Sequence, residues 1–134
     1  MVKETSSKRD GGPAHLQAGE RAEDQALQYL LRHGMTLVTR NYRVARGPSA
    51  RGGEIDLILR EPDGTLVFVE VRSRATAGHG GAAASVSPSK RRSIVSTAQH
   101  FLLTWPRLPP CRFDVVALDN EELTWLRGAF DAGR

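Results

Sequence analysis

The chain has 134 residues, 40% hydrophobic and 25% charged, with a net charge of +4 and a pI near 9.8. That profile is the one of a single soluble domain with a modest core, and it excludes a low-complexity or disordered chain. No apolar run approaches the roughly 18 residues that cross a bilayer, and one cysteine, Cys111, excludes a disulfide framework and reads as a buried thiol.

Residues 1–15 carry no apolar segment, so they read as a disordered tail rather than a secretory leader, and the chain is expected to stay in the cytoplasm. A single domain is expected over 16–130, with 131–134 fraying. Ala18, Ala22, Ala26, Leu27 and Leu30 recur at helical spacing, which predicts a helix over 19–32 that Gly34 stops. Glu20, Glu23 and Asp24 would lie in its first turns, where the helix dipole favours acids. A first strand follows over 35–42, then a basic, breaker-rich loop over 43–52 that serves as a phosphate-contacting arm or as a plain solvated connector.

Residues 53–74 are the centre of the chain. Two aliphatic runs flank Pro62-Asp63-Gly64, the pattern of a hairpin closed by a three-residue loop in which Gly64 takes the left-handed conformation. Positions summing to 126 then face one another: Ile58 meets Phe68, Asp56 meets Glu70 and Glu54 meets Arg72. Directly opposed side chains sit roughly 4.5–5.5 Å apart at Cβ, so the two acids converge. Ile55, Leu57, Leu59, Val67, Val69 and Val71 are assigned to the opposite, apolar face, which fixes the register. Convergent carboxylates suit Mg²⁺ or Mn²⁺, hard cations that take oxygen ligands. The plain alternative is a wet hairpin whose acids are neutralised by Arg60 and Arg72.

Residues 75–86 are small and glycine-rich and read as a flap. Ser87-Pro88 starts a second helix running to about Trp105, with Ile94, Ala98, Phe101, Leu102 and Trp105 facing the core. Lys90, Arg91 and Arg92 crowd its first turn, an unfavourable place for cations until an anion arrives. A strand over 112–118, a turn at Asp119-Asn120 and a short strand over 122–127 complete the order α-β-β-β-α-β-β, with the chain fraying from Gly128. The crossover helix implies one parallel step in a mixed five-stranded sheet flanked by helices.

Charge adds a partner. From Arg72 to Arg112 there are seven basic residues and no acid, and Arg40, Arg43, Arg46 and Arg51 form a second acid-free run. Basic flanks around an acidic, cation-seeking centre point to nucleic acid. Few aromatics fall outside core positions, so no base-reading platform is expected. Four histidines, His15, His33, His79 and His100, show no metal-ligand spacing.

Glu20 with Ala22 and Ala26, Asn41-Tyr42-Arg43, Gly53-Glu54-Ile55-Asp56-Leu57-Ile58, Val67-Phe68-Val69-Glu70-Val71-Arg72 with Arg74, Lys90, and Arg112-Phe113-Asp114-Val115 together resemble the YraN family of small bacterial proteins, over about residues 16–130. That family is similar in turn to the PD-(D/E)XK nucleases, above all the Holliday-junction-resolvase-like members. The resemblance implies an α/β, restriction-endonuclease-like fold, with Asp56, Glu70 and Glu20 binding Mg²⁺ or Mn²⁺ and a catalytic set of Glu20, Asp56, Glu70 and Arg72. It implies an endonuclease acting on structured DNA more than on RNA, and a homodimer where two strands are cut. Arg43, Arg46, Arg51, Arg74, Lys90, Arg91 and Arg92 would grip the backbone. One position departs: Arg72 stands where the motif has lysine. Arginine can steady a phosphorane but cannot act as a base, so Lys90 is expected to compensate from the helix. The alternative is a nucleic-acid-binding module that keeps the fold and turns over slowly or not at all. A weaker reading is a scaffold protein whose basic surface meets an acidic protein partner.

Overall fold

The computed structural model describes residues 14–48, 52–74, 86–119 and 122–132. Most of the 1–15 tail, the 75–85 stretch and Arg51 lie outside them. Helix α1 (Ala14–Arg32) leads into strands β1 (Thr36–Val44), β2 (Gly53–Arg60) and β3 (Leu66–Arg74). Helix α2 (Pro88–Phe101) and a 3-10 turn (Leu102–Thr104) then cross over to β4 (Cys111–Asp119) and β5 (Glu122–Phe130). The sheet order is β1-β2-β3-β4-β5, antiparallel except for the parallel β3–β4 step that α2 bridges. The α/β architecture and the element order are those expected from the sequence.

Each helix covers one face. Ala26, Leu27 and Leu30 of α1 pack with Leu57, Leu59, Val67, Val69 and Val116. Ile94 and Ala98 of α2 pack with Ile55, Ile58, Phe68, Phe113, Val115 and Phe130. Both faces of the central strands are therefore dry, and each fully buried Leu, Ile or Phe contributes roughly 1.5–3 kcal/mol. Ser87 accepts from the backbone N–H of Lys90 at 3.1 Å with Pro88 next to it, so α2 starts where the cap places it. It ends at Phe101 rather than near Trp105, because Pro106 pushes Trp105 out of the helical region (ψ 130°).

The hairpin turn forms as expected. Gly64 N donates to Glu61 O at 2.9 Å, Gly64 has φ +96°, and Asp63 accepts from Thr65 N at 2.9 Å. Arg60 faces Leu66 and Ile58 faces Phe68. The ladder then stops at Leu57–Val69. Ile55 lies in the α2-side core while Leu57 lies in the α1-side core, so the expected single face for Ile55, Leu57 and Leu59 is corrected. Alternation breaks at Asp56, whose carboxylate accepts from Val71 N at 2.8 Å in place of a ladder partner.

Four other expectations change. Helix α1 begins at Ala14, so Glu20, Glu23 and Asp24 sit beyond its first turn and the dipole does not account for them. Arg40 instead bridges Glu23 (3.3 Å) and Asp24 (3.0 Å). Strand β1 runs to Val44, into the expected loop. Cys111 is exposed, with its thiol donating to Pro109 O at 3.3 Å. Strand β5 extends to Phe130 rather than fraying from Gly128, because Phe130 stacks on Phe113 at 5.2 Å and Gly128 takes φ +61° at a register shift.

Helix α2 approaches β2 closely at Gly53. A Cβ there would overlap Thr97 Oγ1, which is itself held by Ser93 O at 2.8 Å. Gly53→Ala is expected to lower stability by about 2–3 kcal/mol in urea unfolding. Adding Thr97→Ala should restore most of the loss, because the remaining Thr97 Cβ is 3.5 Å from the new methyl.

Candidate metal centre

Strand β2 brings Asp56 and strand β3 brings Glu70 to one point beyond the end of their ladder. Glu70 is only 5% exposed, yet it has cations on two sides: Arg72 Nη1 at 3.4 Å and Lys90 Nζ at 4.0 Å from Oε2. Burial lifts the Asp56 carboxyl, and the neighbouring Glu70 charge lifts it further, to about 7, against the pull of the Val71 N–H and Lys90. Burial also raises Glu70, offset by Lys90, Arg72 and a hydrogen bond shared with Asp56. Both carboxyls are therefore raised above their ordinary values, since two such charges ionise together only at a cost.

Lys90 comes within 4.0 Å of Glu70 on the side where Arg72 also meets it. The ammonium comes from the first turn of α2 rather than from β3, at a spacing sequence alone could suggest but not fix. Arg60 does not neutralise the pair: its guanidinium lies over Trp105 at 5.9 Å.

Glu20 is exposed on α1, and among the described residues no three of His, Cys, Asp and Glu group to hold an ion. Glu20 is therefore not gathered with Asp56 and Glu70. The α1 acid that senses the pair is Glu23, raised first by burial and next by Asp56, with Glu54 adding to it. Its place three residues along from Glu20, on the same helical face, was the available signal. An oxygen-only pair fits Mg²⁺ or Mn²⁺, which take one or two carboxylates and complete their shell with water and phosphate oxygens.

The basic residues divide. Arg43 is 72% exposed and 3.5 Å from Glu54, and Arg46 is exposed. Arg74 ends β3, and its side chain, like Arg51, lies outside what is described. Arg91 is partly occupied by the fold: Nε donates to Val86 O at 3.0 Å and the guanidinium lies over Phe130 at 5.6 Å. With exposed Arg92 it lines a cavity of about 380 Å³ beside Val95, Gln99 and Asp131, which neither Asp56 nor Glu70 borders. No helix among the described residues is long and apolar enough to cross a membrane.

The model of the Uncharacterised protein family UPF0102 matches residues 22–118. A UPF0102 protein of Methylibium petroleiphilum is 64% identical over 114 residues, covering 85% of this chain and 93% of its own. One from an Acidovorax species is 59% identical (86% and 85% covered), and one from Cupriavidus taiwanensis is 56% identical (90% and 87%).

Proposed function

We propose, from the premise that the chain belongs to the UPF0102 (YraN) family, that it binds nucleic acid at the Asp56–Glu70 pair and cleaves phosphodiester bonds in structured DNA with Mg²⁺ or Mn²⁺. The observation that carries this reading is the convergence of partly buried Asp56 with buried Glu70, with Arg72 and Lys90 at their edge. Asp56 and Glu70 would hold the ion, with the α1 acid Glu23 nearby. When bound, such an ion polarises the phosphoryl oxygens and lowers the pKa of its water. The chain's own groups do the remainder. Arg72 offers a planar fork to the phosphate, Lys90 a compact charge, and exposed Arg43, Arg46 and Arg92 supply salt-sensitive contacts to the backbone. A homodimer would serve the cutting of two strands and is part of the same reading.

The Arg72 substitution favours a second reading, a binding module that holds DNA without turnover. Incubating junction, flap, single-stranded and duplex DNA and RNA with Mn²⁺ separates the two. Cleavage of branched DNA is expected, falling at least a hundredfold in Glu70→Ala and in Lys90→Ala. Substrate that is retarded but uncut establishes the binding module, and cutting that survives Glu70→Ala removes the pair from the chemistry.

A further inference from the structure

We infer that Asn41 is a positioning residue for the acidic pair: it sets the change of face in β1 opposite Asp56 and bridges Glu23 and Glu54. The inference rests on the reading of Asp56 and Glu70 as a cation site.

The backbone supports the first half. Asn41 has φ +56°, the one non-glycine among the described residues with positive φ, in the middle of a strand. Arg40 pairs with Leu57 and Tyr42 with Ile55, so Asn41 stands opposite Asp56 by register. Arg40 reaches α1 through Glu23 and Asp24, whereas Tyr42, two residues on, reaches α2, its hydroxyl 2.8 Å from His100 Nδ1. In an unbroken strand residues 40 and 42 would share a face. The same exchange occurs across from it, with Ile55 on the α2 side and Leu57 on the α1 side. Both strands thus change faces at one step, and that step frees Asp56 from the ladder to take Val71 N. Asparagine and glycine tolerate this conformation; strain of this kind gathers at functional sites.

The side chain supports the second half. With its amide oriented by the hydrogen bonds it can make, Asn41 donates to Glu23 Oε1 at 3.3 Å and to Glu54 Oε2 at 3.2 Å. Both carboxylates raise the cost of charging the centre. Glycine would keep the backbone and lose the clamp, and aspartate would keep the size while turning two donors into a third repelling charge. Asparagine meets both requirements.

The test has a metal-free arm and a metal arm. In ¹⁵N-resolved spectra of the metal-free protein, the Asn41 side-chain amide signals should shift in Glu23→Gln and in Glu54→Gln; signals indifferent to both overturn the inference. By titration calorimetry with Mn²⁺, Asn41→Gly should bind about tenfold more weakly than wild type with an unchanged melting temperature, and Asn41→Asp more weakly still. Wild-type affinity in Asn41→Gly overturns the inference. If wild type itself binds no Mn²⁺, the cation reading fails and the amide shifts alone decide the clamp.

Discussion

Asp56→Asn is expected to stabilise the protein at pH 8 and to abolish Mn²⁺ binding. The folded-state pKa of Asp56 is raised from 3.8 to about 7, so the stability this group contributes is fully present below about pH 4 and is lost as pH rises through 7. At pH 8 the wild-type fold carries the Asp56 charge next to buried Glu70. Asparagine removes that charge, keeps an oxygen for Val71 N and can donate to Glu70. A gain of about 1–3 kcal/mol follows, roughly 4–10 °C in melting temperature, smaller at pH 5 and vanishing near pH 4. Mn²⁺ should raise the wild-type melting temperature at pH 8, leave it unmoved at pH 5, where protons hold the site, and have no effect on the variant at either pH. Scanning fluorimetry at the two pH values reads all of this, and a variant less stable than wild type at pH 8 would show that the pair is not held under repulsion.

Asp114→Ala has the largest expected cost. Asp114 is fully buried in β4 and accepts from Arg112 Nε (2.9 Å), Arg112 Nη2 (3.1 Å), Trp125 Nε1 (2.9 Å) and Gly128 N (2.9 Å). Arg112 and Arg127 also meet Glu61 beside the hairpin turn, at 2.7 and 3.0 Å. Alanine leaves an indole and a backbone N–H without their acceptor and Arg112 with Glu61 alone, a loss of about 3–5 kcal/mol. Asp114→Asn should lose about half as much, and Asp114→Ala with Arg112→Met should be more stable than Asp114→Ala alone, because the half-paired guanidinium is gone while Glu61 keeps Arg127. Urea unfolding of the three variants checks the order, and an Asp114→Ala protein within 1 kcal/mol of wild type would mean the network is a solvated surface cluster.

The centre was legible because a turn fixes a register. Pro62, Asp63 and Gly64 set the pairing of Ile58 with Phe68, and counting outward placed Asp56 by Glu70. Counting failed one step later, at the break that moves Ile55 to the other face, because alternation assumes an unbroken ladder and this one ends at Leu57–Val69, where Asp56 takes Val71 N through its side chain. Glu23 was hidden for a related reason. Which turn of α1 overlooks β2 depends on where the helix starts and how it crosses the sheet, and neither is written in a local pattern. Lys90 was visible as a charge near a helix start, but its approach to Glu70 depends on the crossover that seats α2. Strand β5 was cut short because Gly128 resembles a terminator, whereas buried Asp114 recruits its N–H and carries the strand on to Phe130.

The left-handed step at Asn41 has an outcome at the rim of the sheet. Strand β1 is an edge, and an edge with a regular row of free N–H and C=O groups invites a neighbouring molecule to add a strand. Here the row is interrupted at the register shift between Leu37 and Thr39 and again at Asn41, leaving stretches too short to template a stable intermolecular ladder. The same residue that stands opposite one carboxyl also shortens the margin along which a second copy could add a strand.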